Sequence, residues 1–206
     1  MKISEMKRSK KQRELISFRQ VFQLNDYPNI KQDDKPDFVV SHNGILFGVE
    51  VTEYYQDQTS ADYANVPNYM NNILDDESMI KRKDRGKLEK VRVGFEMGGV
   101  PMYTQDAVYR QSQPIQDRLK KLNDIINAKI TSMQEYKMDD LEFVELIIHD
   151  QGDLFGGESG REIYRYLSEL SQSPLEGLPY RRIYISKKFG VFDEPIIFRS
   201  DMDIGD

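Results

Sequence analysis

The chain has 206 residues, of which 38% are hydrophobic, 11% aromatic and 31% charged, and its formal net charge is −6. These values are typical of one globular domain and exclude a disordered or fibrous chain. Because the sequence has no cysteine, it excludes a disulfide framework, a thiolate zinc site and a cysteine nucleophile. No apolar run reaches the roughly 18–20 residues that cross a bilayer, and no signal segment follows the first charges, so we expect a cytoplasmic protein without a membrane partner.

Basic residues are concentrated in two stretches despite the negative net charge. Residues 1–13 and 81–92 together contain 13 of the 29 Lys and Arg residues and only three acids. Charge runs are commonly solvated surface, but these two also suit a groove for phosphate groups, which proteins contact mainly through Lys and Arg. The nucleic-acid-binding residues that we predict all lie in the second stretch: Lys81, Arg82, Lys83, Arg85 and Lys87.

The first elements are predicted from the spacing of apolar residues. Residues 13–24 place apolar side chains at helical intervals, which predicts an amphipathic helix. After a polar linker, residues 37–40 and 45–55 are rich in residues that favour strands. Asn43-Gly44, which lies between them, favours a tight hairpin turn with positive φ angles.

The middle of the chain is less regular until a long helical pattern begins. Residues from 56 to about 90 are polar and are predicted to be an insertion or mobile loop, with a short helix near 68–83. Residues 91–97 alternate like a strand, with Val91, Val93 and Phe95 on one face. Residues 114–137 form the longest helical pattern, and the apolar run 141–148 predicts a central strand that is covered on both faces.

The remaining elements complete an α/β fold in a single domain of residues 1–206. A helix is predicted at about 160–171, followed by strands at 181–186 and 195–198. The order of helix, three strands, helix, strand, helix and strands predicts a mixed central β-sheet flanked by helices.

Residues 36–52, PDFVVSHNGILFGVEVT, carry the pattern with the clearest chemistry. Asp37 opens the first strand of the hairpin and Glu50 lies in the middle of the second. Because side chains alternate along a strand, Glu50 and Thr52 face away from the neighbouring valines, and an ionised acid in so apolar a strand needs a partner. Two carboxylates about 5 Å apart on one sheet face can share a hard divalent cation such as Mg²⁺.

This segment resembles the metal-binding core of the PD-(D/E)XK, or restriction-endonuclease-like, nucleases. The resemblance depends on the Pro36-Asp37 pair, the hairpin and the strand that ends at Glu50-Val51-Thr52. It implies an αβββαβ core and a site in which Asp37 and Glu50 ligate Mg²⁺ or Mn²⁺, with the carbonyl of Val51 as a further ligand. A structural alternative is that Asp37 only caps a strand while another side chain neutralises Glu50.

The family motif expects a lysine where this sequence has Thr52. That lysine steadies the attacking water or the developing charge, and some members of the family carry it on the following helix instead. Lys129 occupies the apolar stripe of the predicted helix at 114–137, so we expect it to pair with Asp37 and Glu50 as the catalytic lysine. Alternatively, its ammonium group extends to the edge of the core.

Glu14 is the third acid that the resemblance suggests for the metal site. It lies near the buried stripe of the first helix, where several families of this superfamily contribute an acid. The alternative is a surface glutamate at a helix start, where the helix dipole stabilises negative charge. His42 and His149 are too few for a histidine-rich zinc site, and no glycine-rich phosphate loop with its lysine is present.

The resemblance therefore implies a metal-dependent nuclease that hydrolyses the phosphodiester bonds of nucleic acid, with DNA as the expected substrate. Restriction, phage defence and mobile elements are its expected settings, and a homodimer is an expected assembly because duplex cleavage needs two sites. Phosphate contacts by the basic stretches predict little base specificity and a steep dependence on salt. The alternative function is a nuclease-like fold without catalysis that binds nucleic acid or a protein, which Thr52 favours.

Overall fold

The computed structural model of the chain divides into two compact units, residues 1–54 with 115–206 and residues 55–114. The residues that it describes are 3–23, 25–57, 59, 61, 69–111, 113–133, 136, 140–151, 154, 159–172, 180–188 and 195–199. Within them the helices and strands are α1 (Ile3–Val21), β1 (Asn29–Gln32), β2 (Phe38–His42), β3 (Ile45–Tyr54), α2 (Tyr69–Asp75), β4 (Leu88–Met97), β5 (Val100–Arg110), α3 (Ile115–Ser132), β6 (Phe143–Asp150), α4 (Ser159–Gln172), β7 (Tyr180–Lys188) and β8 (Pro195–Arg199).

The larger unit contains a mixed sheet whose described strands follow the order β1-β2-β3-β6-β7-β8. The pairs β3–β6 and β6–β7 are parallel, and the other three pairs are antiparallel. β6 therefore lies inside the sheet, as its continuous apolar sequence predicts, and seven of its eight residues are buried. The prediction of a mixed sheet with helices is confirmed.

The β2–β3 hairpin fixes the register on which the site depends. Asn43 and Gly44 have φ angles of 52° and 80°, so the turn takes the two positive angles that this residue pair favours. Phe38 pairs with Val49 in the resulting ladder. Asp37, just before β2, therefore comes opposite Glu50 on β3.

Both faces of the sheet in the larger unit are covered by helices. On one face, α1 packs Phe18 and Phe22 against a cluster that includes Val49 and Val51 of β3. On the opposite face, α3 packs Leu122 against a cluster that includes Tyr54. Glu50 shares the second face with Tyr54, because side chains alternate along the strand. A buried carboxylate thus lies among apolar neighbours.

Gly48 allows β3 to pass close to the residue that precedes Asp37. A Cβ atom at this position would lie 2.7 Å from Cγ of Pro36 and 3.2 Å from side-chain carbons of Leu141 and Val144. We expect Gly48→Ala to lower the free energy of unfolding by about 1–3 kcal/mol, because the core has no room for the methyl group. Urea denaturation measures this loss.

The double variant Pro36→Ala/Gly48→Ala is the matched control for this clash. Removing the Pro36 ring opens space for the new methyl group, so we expect Gly48→Ala to cost less in the Pro36→Ala background than in the wild type. Equal stability of Gly48→Ala and the wild type would show that the close approach of β3 to Pro36 does not require glycine at position 48.

The smaller unit contains α2, two short 3-10 turns and the antiparallel hairpin β4–β5. The predicted insertion at about 56–90 lies in this unit, which continues to residue 114. The strand predicted at 91–97 is present as part of β4, but its place in the main sheet is wrong: it pairs with β5 in a separate two-stranded sheet. Val93, on the apolar face of this strand, is 42% exposed.

Three other predictions for the larger unit need correction. The segment 29–32, which we interpreted as part of a polar linker, forms β1 at the edge of the main sheet. The helix predicted at 114–137 ends at Ser132, although Met133 and Tyr136 are buried beyond it. The first helix, predicted at residues 13–24, begins at Ile3 and ends at Val21.

Among the described helices, none is both long and apolar enough to span a membrane.

Candidate active site

Asp37 and Glu50 lie together at the β2–β3 hairpin, as the sequence predicts. Both residues are almost fully buried, with 7% and 6% of their surface exposed. Oδ2 of Asp37 accepts a hydrogen bond of 2.8 Å from the backbone N–H of Val51. Asp37 is thereby attached to the strand that carries Glu50.

Lys129 reaches this pair from α3. Its Nζ lies 2.5 Å from Oε1 of Glu50 and forms an ion pair in which the lysine side chain is 24% exposed. The other oxygen of Glu50, Oε2, is buried and has no hydrogen-bond partner among the described residues. An unsatisfied buried carboxylate oxygen is costly, so this atom is available to a further cation or donor.

Glu14 also lies near the pair, on α1. Its side chain is 9% exposed, and its Oε1 lies 3.1 Å from Nζ of Lys10, one helical turn earlier. The charge of Glu14 contributes to the electrostatics of Asp37. Three acids and two lysines therefore share this region of the larger unit.

This environment makes Asp37 hard to ionise. Burial, aided by the negative charges of Glu50 and Glu14, raises the pKa of Asp37 from 3.8 to about 7. The hydrogen bond from Val51 and the positive charge of Lys129 oppose the rise. Since like charges in a shared pocket disfavour each other, a bound cation would relieve the repulsion.

The raised pKa predicts how stability depends on pH in the absence of metal. Between pH 3.8 and about 7, Asp37 is protonated in the folded chain and ionised in the unfolded chain. Unfolding then releases a proton, so the contribution of Asp37 to stability is full below pH 3.8 and is lost as pH rises to about 7. We expect Asp37→Asn, which cannot ionise, to melt about 5 °C above the wild type at pH 8 in EDTA.

Thermal unfolding of both proteins at pH 5 and pH 8 measures this difference. Asn keeps an oxygen that can accept from Val51, so the substitution preserves the hydrogen bond. An equal pH dependence of the two melting temperatures would show that Asp37 does not titrate in this range.

Two tyrosines lie beside Glu50. Burial, with the charge of Glu50 as the next cause, raises the pKa of Tyr136. The Tyr136 hydroxyl has no hydrogen bond of normal geometry within the described part of the chain. Tyr180, whose pKa is also raised by burial, donates from its hydroxyl to the backbone carbonyl of Lys129 at 3.1 Å. Both side chains are thus neutral donors next to a charged pair.

The donors fit a hard divalent cation. Asp37 and Glu50 offer carboxylate oxygens, one of them the unpartnered Oε2 of Glu50. The N–H and C=O of one residue in an extended strand point to the same side, so the Val51 carbonyl is directed toward the side of Asp37. Mg²⁺ is commonly held by one or two carboxylates with water completing its shell.

Within the described ranges, no three Asp, Glu, His or Cys side chains converge as ready-made metal ligands. The arrangement therefore offers two carboxylates and a carbonyl, and Glu14 as a third acidic ligand stays a prediction. Thr52 is half-buried on the same face as Glu50 and supplies a hydroxyl without a charge.

The predicted nucleic-acid-binding residues belong to the smaller unit. Arg82, Lys83 and Arg85 are exposed around a 3-10 turn, whereas the ammonium group of Lys81 lies 4.9 Å from the ring centre of Tyr69. Lys87 forms a 3.0 Å ion pair with Asp57. The segment is thus a solvent-accessible basic turn of the smaller unit.

A buried aspartate fixes this basic turn. Asp84 is fully buried and accepts hydrogen bonds from the hydroxyl groups of Thr59 at 2.8 Å and Tyr69 at 2.7 Å. Sequence analysis did not identify Asp84, Tyr136 or Tyr180 as site residues, and it included Lys10 only as one of the basic residues of the stretch 1–13. Only Lys10 had a local signal, since it precedes Glu14 by four residues and so lies on the same helix face.

Comparison of the chain with protein-family models, curated proteins and solved structures finds no match.

Proposed function

We propose that the chain is a metal-dependent nuclease that hydrolyses phosphodiester bonds of nucleic acid, with DNA as the expected substrate. The observation that carries the proposal is the meeting of Asp37 and Glu50 on one face of a hairpin with Lys129 bound to Glu50. Two acids and a lysine on this framework match the site that the PD-(D/E)XK resemblance implies. The lysine comes from α3, which compensates for Thr52.

The fold of the larger unit supports the same proposal. Its elements α1, β1, β2, β3, α3 and β6 follow the order αβββαβ. The three strands include β1 before the hairpin, whereas the sequence predicts residues 91–97 after it. β3 and β6 are parallel neighbours, so α3 crosses one face of the sheet and carries Lys129 to Glu50. We therefore propose that this unit is a restriction-endonuclease-like core.

Each side chain has a role in the proposed hydrolysis, which adds one water across a P–O bond and yields a phosphomonoester and a free hydroxyl. Asp37 and Glu50, with the Val51 carbonyl, would hold Mg²⁺ or Mn²⁺. When bound, such an ion neutralises phosphate charge and lowers the pKa of water. Lys129 keeps Glu50 oriented and places a positive charge beside the scissile phosphate.

Incubation of linear and circular DNA and of RNA with the purified chain, with Mg²⁺, Mn²⁺ or EDTA, tests this proposal. Cleavage that requires the metal supports it. Absence of cleavage of all these substrates under every metal condition contradicts it.

A second candidate is a nuclease-like fold that binds nucleic acid or a protein without catalysis. The observation that favours it is that Thr52 replaces the motif lysine while Lys129 already neutralises Glu50. A binding-only module should show no rise in melting temperature with Mg²⁺, whereas a filled carboxylate site stabilises the folded state by linkage. The metal dependence of thermal unfolding therefore separates the two functions.

A further inference from the structure

Lys10 is an exposed cation fixed at the edge of the acidic region. Its Nζ lies 3.1 Å from Oε1 of Glu14, and its side chain is 70% exposed whereas that of Glu14 is 9% exposed. A buried carboxylate thus holds an ammonium group that solvent, and any ligand arriving from solvent, can reach.

The site's own acids favour the charged form of Lys10. Partial burial lowers the pKa of Lys10, but its hydrogen bond to Glu14 and the charges of Glu14, Asp37 and Glu50 outweigh that effect, and the net result is a raised pKa. Lys10 is therefore positively charged at neutral pH.

Ion pairs of the neighbouring residues place this turn of α1 beside the hairpin. Lys11 pairs at 3.0 Å with Asp34, three residues before Asp37, and Arg13 pairs at 2.8 Å with Glu53, three residues after Glu50.

Lys10 is more available than Lys129 to bind a substrate, because it is more exposed and its loss from an ion pair is not required. Lys129 is 24% exposed and pairs with Glu50, so moving it would leave a buried charge without a partner. Lys10 uses one of its three N–H donors on Glu14 and makes no other hydrogen bond to a described residue. The remaining donors can bind an anion while the ion pair stays intact.

We propose that Lys10 binds a phosphate group of the nucleic-acid backbone next to the Asp37–Glu50 pair. This role rests on the proposed nuclease function and deepens it, because it supplies from α1 an accessible positive charge that Thr52 does not supply. Lys129 then orients Glu50, and Lys10 contacts the substrate.

The test is binding of a fluorescently labelled DNA duplex, measured by anisotropy over a range of salt concentrations with Ca²⁺ replacing Mg²⁺. A gel of the same samples checks that the DNA stays intact. We expect Lys10→Ala to weaken binding about tenfold and to reduce the slope of log affinity against log salt by about 1, because one phosphate contact is lost. Lys10→Arg keeps the charge and should retain most of the affinity.

Lys31→Ala is the matched control. Lys31 lies outside the two basic stretches, its side chain is 76% exposed, and it forms an ion pair of 2.9 Å with Asp33. We expect it to leave both affinity and salt slope nearly unchanged. Melting temperatures of all variants confirm that each is folded under the conditions of the assay.

The outcomes separate the two proposals. Equal effects of Lys10→Ala and Lys31→Ala, or an unchanged salt slope in Lys10→Ala, would overturn the role of Lys10 while metal-dependent cleavage by the wild type still supported the nuclease. A wild type that neither binds nor cleaves DNA or RNA would overturn the nuclease function and the Lys10 contact with it.

Discussion

Glu50→Gln should reduce metal-dependent cleavage about 100-fold to 1000-fold at limiting Mg²⁺. The substitution removes the negative charge of one of the two proposed metal ligands. Glutamine has nearly the same shape as glutamate and keeps an oxygen that can accept a hydrogen bond from Lys129. The fold should therefore survive, and the loss should reflect charge rather than packing. Initial rates of cleavage across a Mg²⁺ titration measure the effect.

Glu53→Gln is the matched control for this prediction. Glu53 lies three residues further along β3, faces the opposite side of the sheet and pairs with Arg13 at 2.8 Å. We expect its cleavage rate to stay within a few-fold of the wild type. If Glu50→Gln and Glu53→Gln cleave equally well, Glu50 has no special role and the site assignment is wrong.

The largest expected effect on stability comes from Lys129→Met. This change keeps a flexible side chain of similar length but leaves the buried Glu50 carboxylate without its 2.5 Å partner. Removing one member of a buried pair leaves an uncompensated charge, so we expect a loss of about 3 kcal/mol in the free energy of unfolding at pH 8. Urea denaturation in EDTA gives the value without a contribution from metal.

Two comparisons identify the cause of that loss. Lys121→Met changes an exposed lysine on the same helix and should shift the free energy of unfolding by less than about 0.5 kcal/mol. In a Glu50→Gln background, Lys129→Met should cost far less, because no buried charge remains. A loss that is the same in both backgrounds would mean that Lys129 stabilises α3 through packing and not through Glu50.

The relation between Asp37 and Glu50 could be predicted from sequence because each step is local. Asn43-Gly44 fixes a tight turn, which sets the register, and the alternation of side chains then decides which residues share a face. Lys129 was predictable for a similar reason. Its place on the apolar stripe of α3 directs its side chain toward the sheet. A buried acid on the sheet is its expected partner, because an unpaired buried carboxylate is strongly destabilising.

The partners of the edge strands could not be predicted in this way. β1 has the sequence NIKQ and is mostly exposed, so no hydrophobic period marks it, and its place depends on backbone pairing with β2. β4 has an alternating pattern, but a pattern does not say which strand pairs with it. Its pairing with β5 through Gly98 and Gly99 places it in another sheet.

The residues that sequence analysis missed owe their positions to contacts between distant segments. Asp84 is buried by Thr59 and Tyr69, which lie 25 and 15 residues earlier in the chain. The charges of Asp37 and Glu50 act on Lys10 because α1 packs on the sheet that carries the hairpin. Neither relation leaves a period or motif in the sequence.

The most direct test of the central claim, that Asp37 and Glu50 together bind a divalent ion, is calorimetric titration of Mn²⁺ into the metal-free chain at pH 8. The wild type and Glu53→Gln should each bind the ion at the site, because at pH 8 Asp37, whose pKa is raised to about 7, is largely ionised and ready to act as a ligand. Asp37→Asn and Glu50→Gln should lose that binding. Equal binding by all four proteins, or none by the wild type, would contradict the account.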